Sequence, residues 1–168
     1  MTGSLKDQTV LVIGRGSGLA RAIALAAQDA GAQVIAAGRD SGALAAAYAG
    51  EPGISTETVD LTDETSIAAL GERLGPLDHV VSTASARARG RVPDLDRDAI
   101  RLSFDTKVIG PLMLAKHLAP RLNTGGSFVI FSGVAAAKIA VGTLGVVTRA
   151  VRRGRTRTPG PRSGGSPV

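Results

Sequence analysis

The chain has 168 residues, 43% hydrophobic, with no cysteine and only four aromatic side chains, Tyr48, Phe104, Phe128 and Phe131. The length suits one domain of ordinary size, able to bury roughly 70% of its unfolded surface in a core of Ala, Val, Leu and Ile. Without cysteine there are no disulfides, thiolate metal sites or Cys nucleophile, and a reducing, cytoplasmic setting fits. The net charge of +6 suggests an anionic partner. However, six of the twenty lysines and arginines fall at Arg149, Arg152, Arg153, Arg155, Arg157 and Arg162, with no acid among them. Residues 1–148 therefore balance fourteen bases against fourteen acids.

Thr9–Ile13 is a short branched apolar run of the sort buried in a parallel strand. The glycine-rich stretch Gly14-Arg15-Gly16-Ser17-Gly18 follows, then an Ala-rich helical segment, Leu19–Ala30, stopped by Gly31. Gln33–Ala37 reads as a second strand. Ser41–Ala49 reads as a helix capped by Asp40 or Ser41 and stopped by Gly50 and Pro52. Ile54–Val59 is a third strand. Thr62-Asp63-Glu64-Thr65 is an N-cap signal opening a helix over Ser66–Leu74, closed by Gly75-Pro76.

His79–Ser82 is a fourth strand, followed by a basic loop from Arg87 to Pro93. Asp96 or Asp98 caps a long helix over Ala99–Leu122, which Gly110-Pro111 is expected to kink. Asn123–Gly126 is a turn and Ser127–Phe131 a fifth strand. Five strands alternating with four helices predict a doubly wound parallel α/β sheet with helices on both faces. Residues 149–168 read as a basic, disordered tail. No signal peptide or membrane span is evident. The tail lacks aromatic interleaving and a folded motif, so no specific nucleic-acid partner is expected.

The glycines between strand and helix let backbone approach a pyrophosphate, which the helix N-terminus attracts. The alternative is a glycine-rich connection with no ligand. Arg39, at the end of the second strand, suits the 2′-phosphate of NADP over the free hydroxyl of NAD, with Arg15 as a second cation. Otherwise it is a surface arginine. Asp60 at the third strand end accepts from an adenine amine or serves a turn. The three aspartates at 94, 96 and 98 read as helix caps rather than a cation site. His79 and His117 read as packing or surface residues.

Together these residues resemble the short-chain dehydrogenase/reductase family over roughly residues 5–148. Its TGxxxGxG motif aligns with Ile13-Gly14-Arg15-Gly16-Ser17-Gly18-Leu19-Ala20, and its Asp-Leu with Asp60-Leu61. Its NNAG stretch aligns with Ser82-Thr83-Ala84-Ser85, and its FDVNLKGVF helix with Phe104–Leu112. GGSIVNISS aligns with Gly125–Gly133. The resemblance implies a seven-stranded fold and hydride transfer between NAD(P) and a small carbonyl or alcohol, through a Ser, a Tyr and a Lys in a YxxxK pattern. It places the dinucleotide on Gly14, Arg15, Gly16, Ser17, Gly18, Leu19, Arg39, Asp60, Leu61, Thr83 and Ala84.

The catalytic set departs from the pattern. The family's serine position falls on Gly133, with Ser132 one residue early, and no tyrosine follows Tyr48. The last lysine is Lys138, so the chain contains no YxxxK. Lys107 stands where the family has asparagine; it reads as a tolerated lysine or as a charge near the nicotinamide ribose. Three readings are carried forward: a reductase of this family, a non-catalytic NADP-binding module, and a cationic interaction protein acting through its tail. The loss of pattern after about Thr148 leads us to expect a truncated member, its reading frame or stop altered near codon 146. The fifth strand, Ser127–Ser132, is then expected to form a sheet edge unless 135–147 covers it, favouring association into a homo-oligomer.

Overall fold

The computed structural model describes residues 4–89 and 91–131. Five parallel strands, β1 (Thr9–Ile13), β2 (Gln33–Gly38), β3 (Ile54–Thr58), β4 (Leu77–Ser82) and β5 (Leu122–Ile130), form one sheet in the order β3-β2-β1-β4-β5. The chain winds outward through β2 to β3, then returns across the sheet to lay β4 on the other side of β1. Val10 pairs with both Val34 and His79.

β1 is apolar throughout because it is covered on both faces. Val10 and Val12 point into one core with Ala20, Ala24 and Ala27 of α1 (Gly18–Asp29) and Leu44 and Tyr48 of α2 (Ser41–Tyr48). Leu11 and Ile13 point the other way, to Ile67 and Leu70 of α3 (Glu64–Arg73) and to Leu114 and Leu118 of α5 (Gly110–Leu118). The period-two alternation of a strand thus serves two helical layers. Alanines let α1 lie close to the sheet, whereas leucines and Ile67 fill the wider gap under α3 and α5. The expected doubly wound sheet is present with five strands.

Several local expectations are corrected. Asp63, not Thr62, caps α3, its carboxylate accepting from Thr65 N at 2.9 Å. β4 begins at Leu77 rather than His79, because the buried Leu77 pairs with Leu122. The single helix expected over Ala99–Leu122 is divided. α4 (Arg97–Phe104), capped by Asp96 through Ala99 N at 2.8 Å, runs into a π-helical turn over Asp105–Ile109 before α5 begins. The irregularity therefore precedes Gly110-Pro111. Pro111 sits in the first turn of α5, where its missing N–H costs nothing. A short 3₁₀ turn, Ala119–Arg121, closes that segment.

The turn expected at Asn123–Gly126 lies within β5 as a bulge between the Leu77 and His79 pairings. Gly125 there has φ 86°. Asn123 Nδ2 and Thr9 N donate to the two carboxylate oxygens of Asp78, at 2.9 and 2.8 Å, tying the bulge to the start of β1. Residues 132–168, which include Ser132, the expected cover at 135–147 and the basic tail, lie outside the described residues.

Candidate functional site

The reversal between β1 and β4 opens a cleft at the C-terminal ends of the strands, the usual place for a ligand in an open α/β sheet. Its volume is about 620 Å³. Ile13 to Arg15 line it after β1, Gly38 to Ser41 after β2, Val59 to Thr62 after β3 and Ala84 to Ala86 after β4. Ala43 and Leu44 from α2 and Thr106 from the π turn complete it.

The floor is close packed. Gly14 N donates to Ala37 O at 2.8 Å, and Thr83 N donates to Ile13 O at 2.9 Å. A Cβ on Gly14 would stand 2.5 Å from Ala20 Cβ and 2.6 Å from Thr83 Oγ1, so only glycine lets β1, α1 and the β4 end meet here. Gly16 and Gly18 have φ of 69° and 56°, the left-handed conformation that swings the chain from strand to helix. Ser17 is the N-cap residue of α1 but makes no side-chain cap, and the first turn of α1 holds no acid. The N–H groups and positive dipole end of that twelve-residue helix are therefore left for an outside acceptor. These features fit a dinucleotide pyrophosphate.

Of the residues singled out in the sequence, Gly14, Arg15, Arg39, Asp60, Leu61 and Ala84 line the cleft. Gly16, Ser17, Gly18, Leu19 and Thr83 do not. Gly16 is buried against Leu44, Ala47 and Tyr48, and Leu19 is half exposed. Thr83 Oγ1 turns back to Ile13 O at 3.2 Å. Among the described residues, no carboxylate lies within 4.0 Å of the Arg15 or Arg39 guanidinium. Asp40, adjacent to Arg39, is occupied as the α2 cap, accepting from Ala43 N at 2.8 Å.

Asp60 serves the turn: its Oδ1 accepts from Thr62 N at 2.9 Å and Thr62 Oγ1 at 2.8 Å. The carboxylate still faces the cleft. Lys107 is outside the lining. Its Nζ donates to Phe131 O at 2.8 Å, joining the π turn to the end of β5. Burial, and secondarily the Arg87 guanidinium, hold the Lys107 ammonium below the usual lysine range.

Sequence reasoning missed Gly38, Ser41, Ser85 and Thr106 as cleft residues. Gly38 carried a readable signal, a glycine at a strand end, and its Cα lies against the Gly14 carbonyl. Thr106 carried none, because only the π turn aims it inward.

A parallel sheet in this order, with a glycine-lined cleft at the reversal, defines a Rossmann-type nucleotide-binding α/β protein. A family model described as enoyl-(acyl carrier protein) reductase matches residues 13–151. The chain belongs to the short-chain dehydrogenase/reductase family. It is 36% identical over 133 residues to 2-keto-3-deoxy-L-fuconate dehydrogenase of Xanthomonas campestris pv. campestris, covering 78% of this chain and 44% of that protein. It is also 36% identical over 143 residues to 1-hydroxy-2-glutathionyl-2-methyl-3-butene dehydrogenase of Rhodococcus sp. AD45, covering 82% and 58%.

Among solved structures, a short-chain type dehydrogenase/reductase from Mycobacterium ulcerans superposes with a TM-score of 0.72 at 34% identity, covering 79% of this chain and 54% of that one. A short chain dehydrogenase from Escherichia coli CFT073 complexed with NADPH shares the fold, with a TM-score of 0.72 at 22% identity over 80% and 62%. The chain spans about half the length of the curated relatives it matches. Among the described residues, no helix is long and apolar enough to cross a membrane.

Proposed function

We propose that this chain binds a nicotinamide dinucleotide in the cleft, NADP in preference to NAD. The uncapped, acid-free N-terminus of α1 beside the Gly14 approach carries the reading. The stretch Gly14–Leu19 holds the pyrophosphate. Arg39, with Arg15, takes the 2′-phosphate, and Asp60-Leu61 takes the adenine. Thr83-Ala84 flank the nicotinamide half. Hydride transfer to or from a small carbonyl or alcohol is the chemistry such a cofactor supplies. Residues 1–148 act as the dinucleotide-binding body and 149–168 as a basic tail, in a cytoplasmic protein.

A second reading, binding without turnover, is favoured by the place of the only tyrosine. Tyr48 is buried on α2 beneath Gly16, its hydroxyl held above the usual tyrosine range by burial, and no YxxxK pair occurs in these 168 residues. The experiment is titration of the chain with NADPH and NADH, read by nicotinamide fluorescence, for wild type and Arg39→Ala. The expected result is a loss of about tenfold or more for NADPH and little change for NADH. Equal affinities for the two coenzymes, or an unaffected Arg39→Ala, overturn the preference. Oxidation of NADPH by this chain with simple ketones or aldehydes overturns the second reading.

A further inference from the structure

The cleft is flanked by cations at two places, and only one is explained by the dinucleotide. Arg15 and Arg39 follow β1 and β2. Arg87 follows Ala86, and Lys107 follows Thr106; both preceding residues line the opposite side of the cleft. These two segments are fixed to each other, because Ser103 of α4, only 2% exposed, donates through Oγ to Ala86 O at 2.9 Å, and Ala88 is buried. The loop after β4 is thus pinned against the helix that runs into the π turn, which brings Arg87 beside Lys107.

Such a pair is costly alone, since like charges repel and partial burial disfavours a charge. The depressed proton affinity of Lys107 registers both costs. Nothing in the chain compensates them. Among the described residues no carboxylate lies within 4.0 Å of either group. The last acidic residue of the sequence is Asp105, so none of the residues outside the description carries a carboxylate side chain. Lys107 spends one N–H on Phe131 O and keeps two, and the Arg87 fork makes no hydrogen bond among the described residues.

We propose that Arg87 and Lys107 form a recognition site for a carboxylate on the second ligand that shares the cleft with the dinucleotide. The inference rests on the dinucleotide reading and adds the substrate class: carbonyl or alcohol compounds bearing an acid group near the reacting carbon. A guanidinium fork matches the two oxygens of a carboxylate, and the ammonium adds a point charge. The same pair discriminates against neutral analogues, which leave both cations without a partner.

The test uses the full chain saturated with NADPH, titrated calorimetrically with 2-oxobutanoate and separately with its methyl ester. The acid is expected to bind at least tenfold tighter than the ester. Arg87→Gln, on an exposed side chain, is expected to remove most of that difference while leaving NADPH affinity unchanged. Lys107→Met is expected to do the same. If that variant misfolds by circular dichroism, Arg87→Gln alone decides. The tail arginines are present in every variant, so anion binding that survives Arg87→Gln belongs to the tail and overturns the site. Equal binding of acid and ester with NADPH bound also overturns it, and leaves the dinucleotide reading standing. Failure of wild type to bind NADPH removes both.

Discussion

Gly14→Ala adds a single methyl group where three elements converge. The new carbon would lie 2.5 Å from Ala20 Cβ and 2.6 Å from Thr83 Oγ1, whereas non-bonded carbons rest about 3.5–4.0 Å apart. Each neighbour must therefore retreat by roughly 1 Å. Ala20 is buried on α1 and Thr83 is held by Ile13 O, so relief comes from lifting the start of α1 or parting the ends of β1 and β4. Overpacking of this kind costs about 1–3 kcal/mol. For a chain this size that lowers the Tm by about 2–12 °C.

Both movements also displace the cleft floor, so NADPH affinity is expected to fall by about tenfold or more. Thermal unfolding by circular dichroism and NADPH fluorescence read the two effects. Adding Ala20→Gly removes one of the two clashes, so the double variant is expected to recover part of the loss. A Tm and NADPH affinity equal to wild type would show that α1 and β4 are not fixed as described. So would single-variant effects that add within about 0.5 kcal/mol.

Gly18→Ala perturbs the same loop by a different route: no atom lies within 4 Å of its Cβ position, but φ is 56°, so a loss of about 1 kcal/mol comes from backbone strain alone, measurable by urea unfolding. Leu118→Ala empties a fully buried position in the α5 core and is expected to cost about 2–5 kcal/mol by the same measurement, with NADPH binding to the remaining folded fraction unchanged. Hydrogen bonds from Lys116 and then His117 hold the Glu64 carboxyl below its ordinary value, so the folded state binds its proton more weakly than the unfolded chain. That contribution is complete above the ordinary value of 4.5 and fades as pH falls through the depressed one. Glu64→Gln is therefore expected to flatten the acid limb of Tm against pH; an unchanged limb counts against the ion pair.

The parallel strands and their alternation with helices were legible because burial on two faces leaves an unbroken apolar run, as in β1, and because caps such as Asp40 and Asp96 carry their own chemistry. The glycine loop was legible for a related reason: close approach and left-handed backbone both select glycine. What could not be read has a common cause. A π turn differs from an α turn by one inserted residue and has no side-chain requirement, so Asp105–Ile109 looks like ordinary helix. The β5 bulge depends on Asp78, a residue far away in sequence. Thr106, Ser85 and the pairing of Arg87 with Lys107 arise only when the loop after β4 docks on α4.

The π turn also bears on which sequence changes this stretch can inherit. One residue of helix corresponds to 100° of rotation and 1.5 Å of rise. Deleting any codon between 105 and 109 would restore regular hydrogen bonding and yet turn α4 and α5 out of phase. Either Leu114 and Leu118 leave the core, or Ser103 swings away from Ala86 and the loop after β4 loses its anchor. A point substitution here is judged by size and charge, whereas a single-codon deletion is judged by angle. The segment should therefore accept many replacements and almost no change of length.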